Sequence, residues 1–183
     1  MEQNSKIVAL VGLPGSGKST VGRQLSRRWG IPFVDSDQEI ERRTGGSVRQ
    51  FFADHGEAAF RDLEQQVIAE LCAEPSKPKI LATGGGAVLR EANRRTLHAQ
   101  CHVFYLKAGP EELFHRLRHD QTRPLLQVED PAKRLRELFD ARDALYAEAA
   151  HYSIDSVRLT SQQLASRVAM QAEMMGVAPQ VAQ

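Results

Sequence analysis

An apolar run, KIVALV, passes without a gap into GLPGSGKST, Gly12 to Thr20. Three glycines and a proline in nine residues extend neither a strand nor a helix, so the chain must turn there. The first eight residues fit G-x-x-x-x-G-K-[ST], with Gly12, Gly17, Lys18 and Ser19 at the fixed positions. Glycines at this spacing let successive N–H groups turn inward around an anion. Lys18 then opens a helix whose N-terminus adds partial positive charge and unpaired donors. In this pattern the lysine reaches the β- and γ-phosphates, and the serine hydroxyl is placed to ligate Mg2+. The segment Gly12, Leu13, Pro14, Gly15, Ser16, Gly17, Lys18, Ser19 and Thr20 is therefore expected to hold a nucleotide polyphosphate.

Short apolar runs alternate with helical patterns along the rest of the chain, as in a parallel sheet with crossover helices. Strands are expected at Ile7–Val11, Pro32–Asp35, Lys79–Thr83, His102–Leu106 and Tyr152–Asp155. The first helix carries Val21, Leu25 and Trp29 on one stripe; a longer one, from about Glu57 to Glu74, carries Phe60, Leu63, Val67 and Leu71. The last helix starts at TSQQ, a capping-box pattern with Thr160 as N-cap and Gln163 three residues on. The reading gives a single domain over residues 1–176, a lid at about 118–131 and a frayed tail at 177–183. In open α/β sheets ligands bind beyond the carboxyl ends of the strands. That edge collects the phosphate segment, the end of the second strand and the triple glycine Gly84–Gly86.

Several residues on this edge have types suited to chemistry. Strand two ends in FVDSDQE, which places Asp35 and Asp37 toward the ligand edge. One acid can serve Mg2+ and the other a hydroxyl proton; plain helix capping by Ser36 or Asp37 is the alternative. Arg142 continues the apolar stripe of Leu135, Leu138, Phe139 and Leu145, and a guanidinium on such a face needs an anionic partner. That partner is either a substrate carboxylate or a structural acid, unless the side chain snorkels to the surface. Arg61 flanks an apolar stripe within reach of Glu64 at i+3, which on spacing alone is a local pair. Arg116, Arg118 and Arg123 fall in and before a polar, proline-bounded segment. They form either a solvated basic loop or a lid that brings an arginine onto the transferring phosphate.

Composition bounds the partners. Of 183 residues, 24 are lysine or arginine and 23 are acidic, so no global field draws nucleic acid or membrane. The N-terminal MEQNSK has no signal-peptide pattern, and the two cysteines, Cys72 and Cys101, lack metal-ligand spacing, which leads to the expectation of a cytoplasmic protein with reduced thiols. An hhhhD-E strand end, an N-K-x-D guanine motif, a metalloprotease histidine pair and a G-x-S-x-G elbow are all absent. A small phosphotransferase acting on a hydroxylated, anionic small molecule remains.

Taken together, GLPGSGKSTVGRQL, FVDSD, GEAAFRDLE, ILATGGGAV, RPLL and ARDALY, in that order, resemble shikimate kinase from about Ile7 to Asp155. The resemblance implies a three-layer α/β fold of the P-loop nucleoside-monophosphate-kinase type. Its sheet has five parallel strands in order 2-3-1-4-5, flanked by helices, with a mobile lid. It implies transfer of the ATP γ-phosphate to the 3-hydroxyl of shikimate, with Mg2+ and with ATP and shikimate as partners; a monomer is expected. It further implies Lys18 and Ser19 on the phosphates and metal, Asp35 near the metal, and Asp37 as candidate base on the shikimate hydroxyls. Arg61 and Arg142 would clamp the carboxylate, Gly84, Gly85 and Gly86 would line the acceptor site, Arg123 would be the lid arginine and Arg116 would pack on adenine. After the fifth strand only Arg158 stands near the position where relatives place a base over adenine. Another small-molecule kinase, such as a gluconate kinase, and a nucleotide-binding sensor protein are the alternative readings.

Overall fold

The strand Ile7–Val11 (β1) is buried along its whole length because it serves two faces at once. Its side chains alternate. Ile7, Ala9 and Val11 point into one core cluster, while Val8 and Leu10 point into another. Each Ile, Val or Leu so buried contributes on the order of 1.5–3 kcal/mol. The computed structural model describes residues 5–118 and 127–179. Around β1 lie β2 (Phe33–Asp35), β3 (Lys79–Ala82), β4 (His102–Lys107) and β5 (Tyr152–Asp155). All pair in parallel, in the order β2-β3-β1-β4-β5. This is the order implied by the resemblance, and the strand bounds match the sequence expectations to within a residue.

Helices cover both faces of the sheet. On one side α1 (Lys18–Trp29) and α7 (Ser161–Met174) place Val21, Leu25, Leu164 and Val168 against Val8 and Leu10. On the other, α3 (Val48–Cys72), α4 (Glu91–Gln100) and α6 (Pro131–Ala149) bring Ile68, Leu97, Leu135 and Tyr146 onto Ile7 and Val11. Cys72 and Cys101 are free thiols in that second layer, with sulfurs 3.6 Å apart. The helix α2 (Ser36–Thr44) leans on α3 through a small cluster of Ile40, Phe60 and Val67, and α5 (Pro110–Leu117) follows β4.

Two expectations are refined. The helical stretch expected from about Glu57 begins at Val48, capped by Ser47, and is broken at Gly56, where φ is 83°. The left-handed glycine joins two helical pieces, and Phe51 and Phe52 of the first pack on Phe60 of the second. At the start of α2 the cap is neither Ser36 nor Asp37. The Asp35 carboxylate accepts from the N–H groups of Asp37 and Gln38. At the other end of the chain Val177 and Ala178 pack on the α1/α7 core, while residues 180–183 lie outside the described ones.

Candidate active site

The carboxyl ends of β1, β2 and β3 converge on a cleft of about 690 Å³. Its floor is the turn between β1 and α1. Gly17 there caps α1 with φ at 96°, a left-handed conformation that costs a side-chain-bearing residue about 1–2 kcal/mol. The turn exposes the start of α1, where anions are stabilised. Lys18 is buried beneath it, and its ammonium donates to the carbonyls of Gly12 (2.8 Å) and Leu13 (3.0 Å). Pro14 through Thr20 line the cleft; Gly12 and Leu13 lie under it as the carbonyl partners of Lys18. The Ser16 hydroxyl is buried with no hydrogen-bond partner, an arrangement that a phosphate oxygen would satisfy.

Beside the turn, the Ser19 hydroxyl donates to the Asp35 carboxylate at 2.8 Å. These are two hard oxygen donors at the mouth of a phosphate site, a set that fits Mg2+, which takes one or two protein oxygens alongside phosphate oxygens and water. Among the described residues no group of three or more histidine, cysteine or acidic side chains is placed to hold a metal.

Asp37 sits one turn into the ligand edge, against the triple glycine. A Cβ on Gly84 would come 2.6 Å from Asp37 Oδ1, so any larger residue there would displace the carboxylate. The Gly84 N–H is held by the buried Ser36 hydroxyl at 3.0 Å. Burial, with help from the neighbouring Asp35 and Glu64 charges, pushes the Asp37 carboxyl up to about 6, while Lys18 pulls the other way. A carboxylate poised there is suited to accept a proton near neutral pH.

Behind the triple glycine lies a second group. The Arg61 guanidinium rests against Gly86, pairs with Glu64 at 2.7 Å and reaches Glu57 at 3.5 Å. Glu64 is 1% exposed, and burial raises its carboxyl despite the opposing pull of Arg61 and Arg142. The Arg61 Nε–H is buried without a hydrogen-bond partner, so this guanidinium retains a donor for a further acceptor. Arg142 emerges from α6 on the same side, close enough to act on both Glu64 and Tyr146. Arg61, Gly86 and Arg142 thus adjoin the cleft rather than line it. The local pair of Arg61 with Glu64 is present, and it holds the guanidinium beside the site rather than away from it.

The far wall is where sequence reasoning fell short. Arg116 lines the cleft, its guanidinium donating to Glu112 at 3.0 Å and to the Ser156 carbonyl at 2.7 Å. Leu159, Thr160, Ser161 and Leu164 line the cleft as well, and the Leu159 N–H donates to the same Ser156 carbonyl at 3.1 Å. Thr160 was legible as a helix cap, and both bonds of its box are present; that the cap borders the nucleotide cleft had no signal in the local sequence. Arg158, considered for that wall, is exposed with φ at 59° and does not line the cleft. Arg123 and most of the segment expected as a lid lie outside the described residues.

Comparison with known proteins agrees with this geometry. The family model described as shikimate kinase matches residues 14–173. The shikimate kinase of Paracidovorax citrulli is 57% identical over 173 residues, covering 94% of each chain. That of Burkholderia pseudomallei is 50% identical over 93% of this chain and 91% of its own. Among solved structures, the shikimate kinase of Acinetobacter baumannii in complex with shikimate superposes with a TM-score of 0.85 at 40% identity, over 96% of this chain and 97% of that one. The Aquifex aeolicus enzyme gives 0.79 at 29% identity over 93% and 98%. With the ordered motifs, the sheet order and the cleft all in agreement, the chain belongs to the shikimate kinase family.

Proposed function

We propose that the chain phosphorylates the 3-hydroxyl of shikimate with ATP, giving shikimate 3-phosphate and ADP on the route to chorismate and the aromatic amino acids. The observation that carries the reading is the placement of Asp37 in the cleft between the phosphate turn and the triple glycine that Arg61 rests against. In this reading Gly12–Thr20 cradle the polyphosphate and Arg116 packs on adenine. Arg61 and Arg142 grip the acceptor carboxylate, and Gly84–Gly86 let the ring approach the backbone. Asp37 takes the proton from the acceptor hydroxyl as its oxygen forms the new bond to the γ-phosphorus. The bond from that phosphorus to the bridging oxygen breaks, and ADP carries the electron pair away. Arg123, beyond the described residues, is the arginine assigned to the transferring phosphate.

Mg2+ would be held by Ser19 and Asp35, and when bound it supplies positive charge against the β- and γ-phosphates. Lys18, fixed by two backbone carbonyls, contributes an ammonium to the same anion. Phosphoryl transfer depends mostly on positioning and charge neutralisation, and these are what the cleft offers. In this reading the protein is a cytoplasmic monomer, and its net charge of +1 offers little to nucleic acid or lipid. Among the described residues no helix is long and apolar enough to cross a membrane.

The test is ADP release from ATP and Mg2+ with shikimate, gluconate, nucleoside monophosphates or no acceptor. Release that depends on shikimate alone is expected. Silence with shikimate in protein that still binds ATP would leave the phosphate turn standing and the acceptor assignment wrong.

A further inference from the structure

Tyr146 has no part in the reading so far, yet it joins the pieces of the acceptor site. It lies on α6 one turn beyond Arg142, so the two side chains share a face of the helix. The tyrosine is fully buried, and its ring packs on Tyr105 with centroids 5.1 Å apart. Its hydroxyl donates to the carbonyl of Gly85, the middle residue of the triple glycine, at 2.6 Å. The same glycine is wedged from the other side, where a Cβ would stand 2.7 Å from Pro14 of the phosphate turn. Burial pushes the phenol up to about 12 against the pull of Arg142 and Arg61, so it remains a donor at every pH at which the enzyme would work.

The Gly85 peptide is therefore clamped between the phosphate turn and α6. On its two flanks, Gly84 touches Asp37 and Gly86 touches Arg61. One hydroxyl thus sets the distance from the helix that carries Arg142 to the turn that carries the contacts of Asp37 and Arg61. We propose that Tyr146 is a positioning residue for the acceptor: its bond to Gly85 holds Arg142 in register with Arg61 and with the triple glycine. The inference rests on the reading that the two arginines bind the acceptor carboxylate.

The experiment compares Tyr146→Phe with Arg142→Lys, measuring KM for shikimate, KM for ATP, kcat and thermal unfolding in each. Phenylalanine keeps the ring and its packing on Tyr105 and removes only the hydroxyl, with its bond to the Gly85 carbonyl and its hydrogen bond with Arg142. Tyr146→Phe is expected to raise the shikimate KM roughly 5- to 20-fold, with the ATP KM within about twofold and kcat at saturation within about threefold. KM does not depend on the fraction of protein folded, so partial unfolding cannot imitate that split. An unchanged shikimate KM, or equal rises for both substrates, overturns the positioning role even if the melting temperature falls. Arg142→Lys, which loses the planar fork, tests the underlying reading separately. If it leaves the shikimate KM unchanged, the carboxylate assignment fails whatever Tyr146→Phe does. A rise with Arg142→Lys alone sinks only the role given to Tyr146. If both hold, the double variant should raise KM by less than the product of the single effects, because both act on one carboxylate contact.

Discussion

The nucleotide half and the acceptor half of the cleft are built on different plans. The phosphate turn is one contiguous segment between β1 and α1, and its lysine is braced by carbonyls five and six residues away. The acceptor half, as proposed, takes Asp37 from α2, Arg61 from α3, the triple glycine after β3 and Arg142 from α6. A contiguous site is fixed by local backbone geometry and survives drift elsewhere. A dispersed site inherits its geometry from packing between elements, so it can be disturbed from positions that touch no ligand. Ser36, which orients Gly84, and Glu64, which holds Arg61, are such positions.

The sharpest way to break the comparison is to damage the contiguous half. Lys18→Met keeps the length and apolar stem of the side chain but removes the ammonium from the Gly12 and Leu13 carbonyls and from the phosphates. A loss on the order of 10³-fold in kcat is expected, with ATP binding weakened and shikimate binding in the absence of nucleotide unaltered. Calorimetric titration with each substrate would check it. If shikimate binding fell as far as ATP binding, the two halves would not be separable.

Next in size is Asp37→Asn, which strikes the group shared by both halves. A fall on the order of 10² in kcat is expected, with shikimate KM changed far less. The wild-type pH profile of kcat/KM should drop below about pH 6, because the protonated carboxyl cannot accept the hydroxyl proton. Stability carries the opposite signature. The carboxyl titrates near 3.8 when unfolded and near 6 when folded, so the folded state holds its proton longer. The resulting stabilisation is complete below pH 3.8 and is lost as pH rises through 6. Asp37→Asn should therefore melt higher than wild type at pH 8 and alike at pH 4. Equal melting temperatures at both would show that burial does not penalise this carboxylate.

The same contrast explains what the sequence disclosed. The phosphate turn was legible because its chemistry and its residues are consecutive. Asp35 and Asp37 were legible because a strand end in a parallel sheet faces the ligand edge whatever follows it. Their division of labour was less so. Asp35 proved to be both the Ser19 partner and the cap of α2, and Ser36 turned inward to Gly84, contacts that local spacing does not reveal. Arg142 on its apolar stripe raised the right question, but spacing alone could not separate a ligand from a structural acid. Leu159, Thr160, Ser161 and Leu164 enter the cleft only because β5 follows β4 in the sheet order and returns α7 to α1. No periodicity announces a neighbour supplied by topology. Residues 119–126, including Arg123, lie outside the described residues.

The smallest expected effect tests that far wall, where a local motif meets a long-range site. Thr160 accepts from the Gln163 N–H at 3.2 Å, and Gln163 returns the bond to the Thr160 N–H at 2.9 Å. Thr160→Ala removes half of the box and should cost about 1 kcal/mol, lowering the melting temperature by about 2–4 °C. Because the cap borders the cleft, the start of α7 frays toward the nucleotide rather than toward the acceptor. The ATP KM should rise by about two- to threefold, the size of a fraction of that energy, while the shikimate KM stays constant. This is the mirror image of the split expected from Tyr146→Phe. Paired steady-state titrations of the two variants on one preparation would reveal it. If Thr160→Ala moved the shikimate KM instead, the dispersed half would extend across the whole cleft, and the division between contiguous and assembled sites would fall on the other side of the phosphate turn.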